Sequence, residues 1–89
     1  MFFIAAFLVK RLTFYTKPQC GLCDDVHDVI DEARATVSFE LEVRNILDDA
    51  ADYERYKHDI PVVLFDGREI ARHRMTLPQL IAALQEPTV

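Results

Sequence analysis

Eighty-nine residues limit this chain to one domain with a modest core. The formal net charge is −5, and no basic stripe runs along a helical stretch, which argues against nucleic acid as a partner because such a partner needs a positive surface to release counterions. The two cysteines fall in one C-x-x-C, unlike the four or more spread through a secreted disulfide scaffold, and so point to a redox motif in a cytoplasmic chain.

Met1 to Val9 carries no charge and almost no polarity. A membrane span needs about 20 apolar residues, so this run is too short to cross. A signal peptide wants positive charge before the apolar stretch and small residues after it; here Lys10 and Arg11 follow, and Ala5 and Ala6 come too early. Residues 1–11 read as an apolar extension that lengthens the first strand, packs on the body or touches a second copy, so the chain is expected as a monomer or weak dimer. A membrane or secretory role is the alternative. The domain proper is expected over 12–86.

Leu12-Thr13-Phe14-Tyr15 is β-prone, and Pro18, which cannot donate to a ladder, ends that strand in a loop. From Cys20 the period changes: Leu22, Val26, Val29, Ile30 and Ala33 share a face of a helix predicted over Gly21 to Arg34. Val37, Phe39, Leu41 and Val43 alternate with Ser38, Glu40, Glu42 and Arg44, which predicts an eight-residue strand with one wet side. Asp48 or Asn45 is expected to cap a second helix carrying Leu47, Ala50, Ala51, Tyr53 and Tyr56, ending near His58 ahead of Ile60-Pro61. Val62 to Phe65 is an apolar strand, Asp66-Gly67 a two-residue hairpin turn, and Arg68 to Arg72 the returning strand with Ile70 inward. Thr76-Leu77-Pro78-Gln79 matches a capping box opening a last helix with Leu77, Leu80, Ile81 and Leu84 as its apolar stripe. The order β-α-β-α-β-β-α predicts an α/β fold: a right-handed parallel βαβ unit, then an antiparallel hairpin, in a four-stranded mixed sheet with helices on both faces.

Thiol–disulfide exchange needs an attacking thiolate and a second thiol that resolves the mixed disulfide. At a helix start the first sulfur meets the unpaired amides that favour an anion, and the second lies one turn on. Cys20 is therefore the predicted nucleophile and Cys23 the resolving thiol. Lys17 favours the thiolate, and Asp24 and Asp25 oppose it. Half a zinc site is the alternative reading, with His27 as a third ligand, although a structural zinc site wants four. Arg68, Arg72 and Arg74 read as a solvated basic face. Ile60-Pro61 opens an apolar strand, and on residue statistics alone its peptide is trans.

The run Leu12 to Cys23 resembles the strand, loop and C-x-x-C that open glutaredoxins, and Ile60-Pro61-Val62-Val63-Leu64-Phe65-Asp66-Gly67 resembles their proline strand and hairpin. The likeness extends over Leu12 to Leu84 and is strongest to small glutaredoxin-like proteins with a Cys-x-Leu-Cys-Asp start. It implies a thioredoxin fold and a thiol–disulfide oxidoreductase acting on protein or glutathione thiols and disulfides, with no bound cofactor or metal and with glutathione as a candidate co-substrate. It implies that Pro61 is cis and packs near Cys20, that the Ile60 backbone pairs with an incoming peptide or glutathione, and that Lys17 meets a glutathione carboxylate. Gly21-Leu22 stands where glutaredoxins usually carry Pro-Tyr, so Leu22 replaces the aromatic that flanks glutathione. Ala71-Arg72-His73-Arg74-Met75 stands in place of their Gly-Gly turn and aspartate, leaving Arg72 or Arg74 to meet a substrate carboxylate. Two other functions fit the same motif: a thioredoxin-fold module that binds a partner without redox turnover, and a metal or iron–sulfur carrier that uses Cys20 with an external thiol.

Overall fold

The computed structural model describes residues 10–85. The expected apolar extension over residues 1–9 lies outside them. The elements are β1 (Arg11–Thr16), α1 (Gly21–Ala33), β2 (Glu40–Asn45), a 3₁₀ turn (Ile46–Asp48), α2 (Ala50–Tyr56), β3 (Val62–Phe65), β4 (Arg68–Arg72) and α3 (Leu77–Gln85). They form one four-stranded sheet in the order β2-β1-β3-β4. β1 and β2 are parallel, with Arg11 opposite Glu40; β3 runs antiparallel to β1 and β4 antiparallel to β3.

Strand alternation sends β1 and β3 side chains to opposite sides. Leu12, Phe14, Val63 and Phe65 meet Cys23, Val26, Ile30 and Ala33 of α1 and Leu80 and Leu84 of α3 in the main core. Val62 turns the other way and forms a smaller core with Ile46 and Tyr56, against which Tyr15 and Leu64 pack. Helices thus cover both faces, as the element order predicts. Tyr15 packs against Tyr56 in a tilted pair at 4.3 Å between ring centroids, and burial raises its hydroxyl pKa above the ordinary tyrosine value.

The Asp66-Gly67 turn uses positive φ at both residues (50° and 83°), the geometry two-residue hairpins demand. Asp66 also ties the hairpin to the start of β1: its amide donates to the Arg11 carbonyl at 2.9 Å, and its carboxylate accepts from the Arg11 amide at 3.2 Å. The capping box is present in full. Thr76 Oγ1 accepts from the Gln79 amide at 3.2 Å, and Gln79 Oε1 accepts from the Thr76 amide at 3.3 Å. Among the described residues no helix is long and apolar enough to cross a membrane.

Three expectations are corrected. The strand expected over Val37 to Arg44 begins only at Glu40, because that residue is the first with a partner in β1; Val37 and Phe39 still pack on the main core from the connection. The expected second helix is split. Asn45 caps the 3₁₀ turn, accepting from the Leu47 amide at 2.9 Å, and Asp49 caps α2, accepting from the Ala51 and Asp52 amides at 2.8 and 3.0 Å. Leu47 therefore sits outside the helix and is 56% exposed. Finally, Leu22 is not part of the buried stripe of α1; it is 36% exposed, and Cys23 takes the inward place.

Candidate active site

β1 delivers the chain to a turn at Lys17-Pro18-Gln19. Gln19 adopts φ 60°, a left-handed conformation that costs a residue with a Cβ roughly 1–2 kcal/mol. That reversal sets Cys20 at the N-cap of α1 with extended backbone, φ −120° and ψ 105°. Its sulfur occupies the place a serine or aspartate oxygen takes in an ordinary cap: Sγ accepts from the Cys23 amide at 3.1 Å. The Cys20 carbonyl accepts from the Asp24 amide at 3.1 Å.

Cys20 and Cys23 form a disulfide with Cα atoms 5.2 Å apart. The two sulfurs live in different surroundings. Cys20 is half-buried at the helix start, whereas Cys23 is 1% exposed within the main core. A partner can therefore reach the pair only through Cys20.

The positive field at the start of α1 favours an anion on Cys20. The side chains nearby in the chain act on it in both directions. Lys17, Asp24 and Asp25 are all exposed, and none of them is paired with a charged side chain among the described residues. Leu22, two residues after Cys20, is 36% exposed. A Cβ added at Gly21 would meet nothing within 4 Å, so crowding does not demand glycine there.

The second expected element lies at the start of β3. The Ile60–Pro61 peptide is cis. Pro61 is fully buried, and its carbonyl accepts from the His73 amide at 2.7 Å. Ile60 is half-buried and packs, as Cys20 does, against the main core; it also touches the smaller one. His73 belongs to the Ala71 to Met75 stretch and meets β3 at Pro61. It adopts φ 71°, a left-handed conformation that histidine takes more readily than most residues with a Cβ.

Arg72, Arg74 and His27 have partners of their own within the fold. Arg72 is held by Glu69 at 2.7 and 3.0 Å and by Asp59 at 3.1 Å, so it is engaged within the fold rather than open to a substrate carboxylate. The same contact holds the Glu69 carboxyl below its usual range. Arg74 is exposed, with its amide donating to the Arg72 carbonyl at 2.8 Å. His27 stacks on Phe14 at 5.8 Å and faces Asp31 at 3.7 Å. Among the described residues no group of three or more histidine, cysteine or acidic side chains is placed to hold a metal ion. A groove of about 780 Å³ beside β2, lined in part by Arg34, Val37, Phe39 and Leu41, includes neither cysteine.

Residues 11–85 match the family described as Glutaredoxin-like domain (DUF836). The chain belongs to this family. Among relatives, this glutaredoxin-like chain is 28% identical over 81 residues to the "Glutaredoxin-like protein YDR286C homolog" of Dictyostelium discoideum, covering 84% of this chain and 75% of that protein. The X-ray structure of protein XcR50 from X. campestris is 34% identical, with a TM-score of 0.69 over 82% of this chain and 93% of that one. A thioredoxin variant from Halobacterium salinarum, only 16% identical, superposes with a TM-score of 0.61 over 90% of this chain and 78% of its own. That likeness speaks to the fold alone. The glutaredoxin-like domain therefore has the thioredoxin fold expected of it.

Proposed function

We propose that this glutaredoxin-like chain is a thiol–disulfide oxidoreductase that cycles Cys20 and Cys23 between disulfide and dithiol. One observation carries the reading: the pair is bonded at the N-terminus of a helix, with one sulfur reachable and the other buried. In the reducing direction the Cys20 thiolate attacks one sulfur of a partner disulfide. A Cys20–partner bond forms and the first partner thiolate leaves. Cys23 then gives up its proton and attacks Cys20 Sγ, forming the Cys20–Cys23 bond and releasing the second partner thiolate. Two electrons pass to the partner. A thiol pool or reductase dithiol in the cytoplasm returns them.

In this reading Lys17 and Leu22 line the approach to Cys20, one by charge and one by apolar contact. Ile60 and Pro61 supply the backbone beside which an incoming peptide lies. Glutathione is a possible electron donor rather than a required one, because Leu22 and the stretch Ala71 to Met75 replace the groups that hold it in glutaredoxins, and Arg72 is engaged elsewhere.

The test is the Cys20–Cys23 reduction potential in a glutathione redox buffer. A value in the range of about −200 to −270 mV places the pair with reducing glutaredoxins and thioredoxins. If the disulfide never forms in that buffer, the proposal is wrong.

A further inference from the structure

Resting on that redox reading, we infer that the protein selects its partners by charge: its substrate is a disulfide on a cationic protein surface that lies along α1, and anionic disulfides are poor substrates.

The argument starts from how this chain disposes of its carboxylates. Away from α1 most of them are paired. Glu40 faces Arg11 at 3.0 Å; Glu42 and Asp52 face Arg44 at 3.1 and 2.9 Å. Glu54 faces Lys57 at 3.1 Å, and Glu69 and Asp59 hold Arg72. On α1 the pattern reverses. Asp24, Asp25, Asp28 and Glu32 are exposed, and no Lys or Arg among the described residues pairs with them. Of the α1 acids only Asp31 has a side-chain partner at ion-pair distance among the described residues, the His27 imidazole at 3.7 Å. The uncompensated negative charge of the domain is thus concentrated on the helix that carries the disulfide.

Its layout has a direction. Asp24, Asp28 and Glu32 follow Cys20 at successive steps of four residues, so they stack along one face of the helix. Asp28 and Glu32 lie about 12 and 18 Å along the axis from Cys20 at 1.5 Å per residue. The face begins at the one sulfur of the pair that a partner can reach. A basic segment laid along it meets opposite charge over three turns while its disulfide sits at Cys20. An anionic disulfide, glutathione disulfide included, meets the same field as repulsion. Charge of this kind acts mainly on association, raising the rate for the favoured sign by about 10–1,000-fold at low salt.

The test is single-turnover exchange. The protein is reduced with a small dithiol, freed of it, and mixed with three disulfide-linked peptide dimers that are alike but for charge: arginine-rich, glutamate-rich and uncharged. The expected result is a rate at least about tenfold higher for the arginine-rich than for the glutamate-rich dimer at an ionic strength of about 10 mM, where fields reach about 30 Å. That ratio collapses to within about twofold at about 1 M, where they reach about 3 Å. Asp28→Lys/Glu32→Lys lowers the low-salt ratio by at least about threefold, each rate being referred to the uncharged dimer. The milder Asp28→Asn/Glu32→Gln shifts it the same way if the reversal variant fails to fold. Equal rates for all three dimers at low salt would overturn the charge selection and leave the redox reading standing. No exchange with any of them, the uncharged one included, would overturn both.

Discussion

The capping box at α3 offers a quantitative test of how the last helix is held on the core. Thr76→Ala removes the oxygen that accepts from the Gln79 amide at 3.2 Å and leaves that first-turn amide to water. Such a change at an N-cap costs about 1 kcal/mol. Gln79→Ala removes two bonds: the side-chain oxygen accepting from the Thr76 amide at 3.3 Å, and the side-chain amide donating to the Ile70 carbonyl at 3.2 Å. Both are exposed, so each counts at the low end of the usual range, about 0.5 kcal/mol, for about 1 kcal/mol together. For a domain of this size 1 kcal/mol moves the melting temperature by about 4–8 °C. Each single variant should therefore melt about 4–8 °C below the parent when followed by circular dichroism. Thr76→Ser should stay near the parent, since serine caps as well as threonine. The double variant should lose somewhat less than the sum, because an α3 start loosened by one change has less left for the other to hold. If Thr76→Ala melts with the parent, the two reciprocal bonds are not what fastens Leu80 and Leu84 into the main core.

Gly67→Ala should destabilise by about 1 kcal/mol in urea unfolding: an added Cβ meets no atom within 4 Å, so the whole cost comes from a φ of 83°. Ile30→Ala should lose about 2–5 kcal/mol, since Ile30 is fully buried between α1 and the sheet. Glu69 has a folded pKa below its unfolded one, chiefly through its hydrogen bond from Arg72. Its stabilising contribution is thus present above the unfolded carboxylate range and disappears as pH falls through the folded pKa. The melting-temperature gap between parent and Glu69→Gln should accordingly close on acidification from neutral pH. Cys23→Ser should trap a partner on Cys20 as a mixed disulfide visible by mass spectrometry, and Cys20→Ser should trap none.

Periodicity and turn chemistry made much of this domain readable. Asp66-Gly67 and Thr76-x-x-Gln79 signal their structures through local bonding that needs no tertiary help, and Cys20 and Cys23 mark a helix start by spacing. What escaped were features decided by neighbours distant in sequence. The start of β2 depends on where β1 begins, so alternation from Val37 onward overran it. The capping choice among Asn45, Asp48 and Asp49 depends on the chain closing a 3₁₀ turn first. Arg72 looked open because Asp59, in the turn after α2, is brought to it only by folding. The left-handed turn at Gln19 falls on a residue type that rarely adopts it, and the one at His73 on a type that adopts it only somewhat more often, too weak a signal to mark the turn. The burial of Cys23 follows from its place one turn into the helix, but the outward turn of Leu22 is a matter of helix phase, which a stripe read one residue off cannot resolve.

The two outer strands differ in how they meet solvent. β2 lies at one edge, where Glu40, Glu42 and Arg44 are charged along six residues. β4 lies at the other, and past it the chain turns at His73 so that Arg74 bridges back to Arg72. Charge on one margin and a folded-back chain on the other are two common ways by which natural sheets discourage stray strands from adding to them. A domain guarded on both flanks does not hold out a sheet edge as ready ground for another chain.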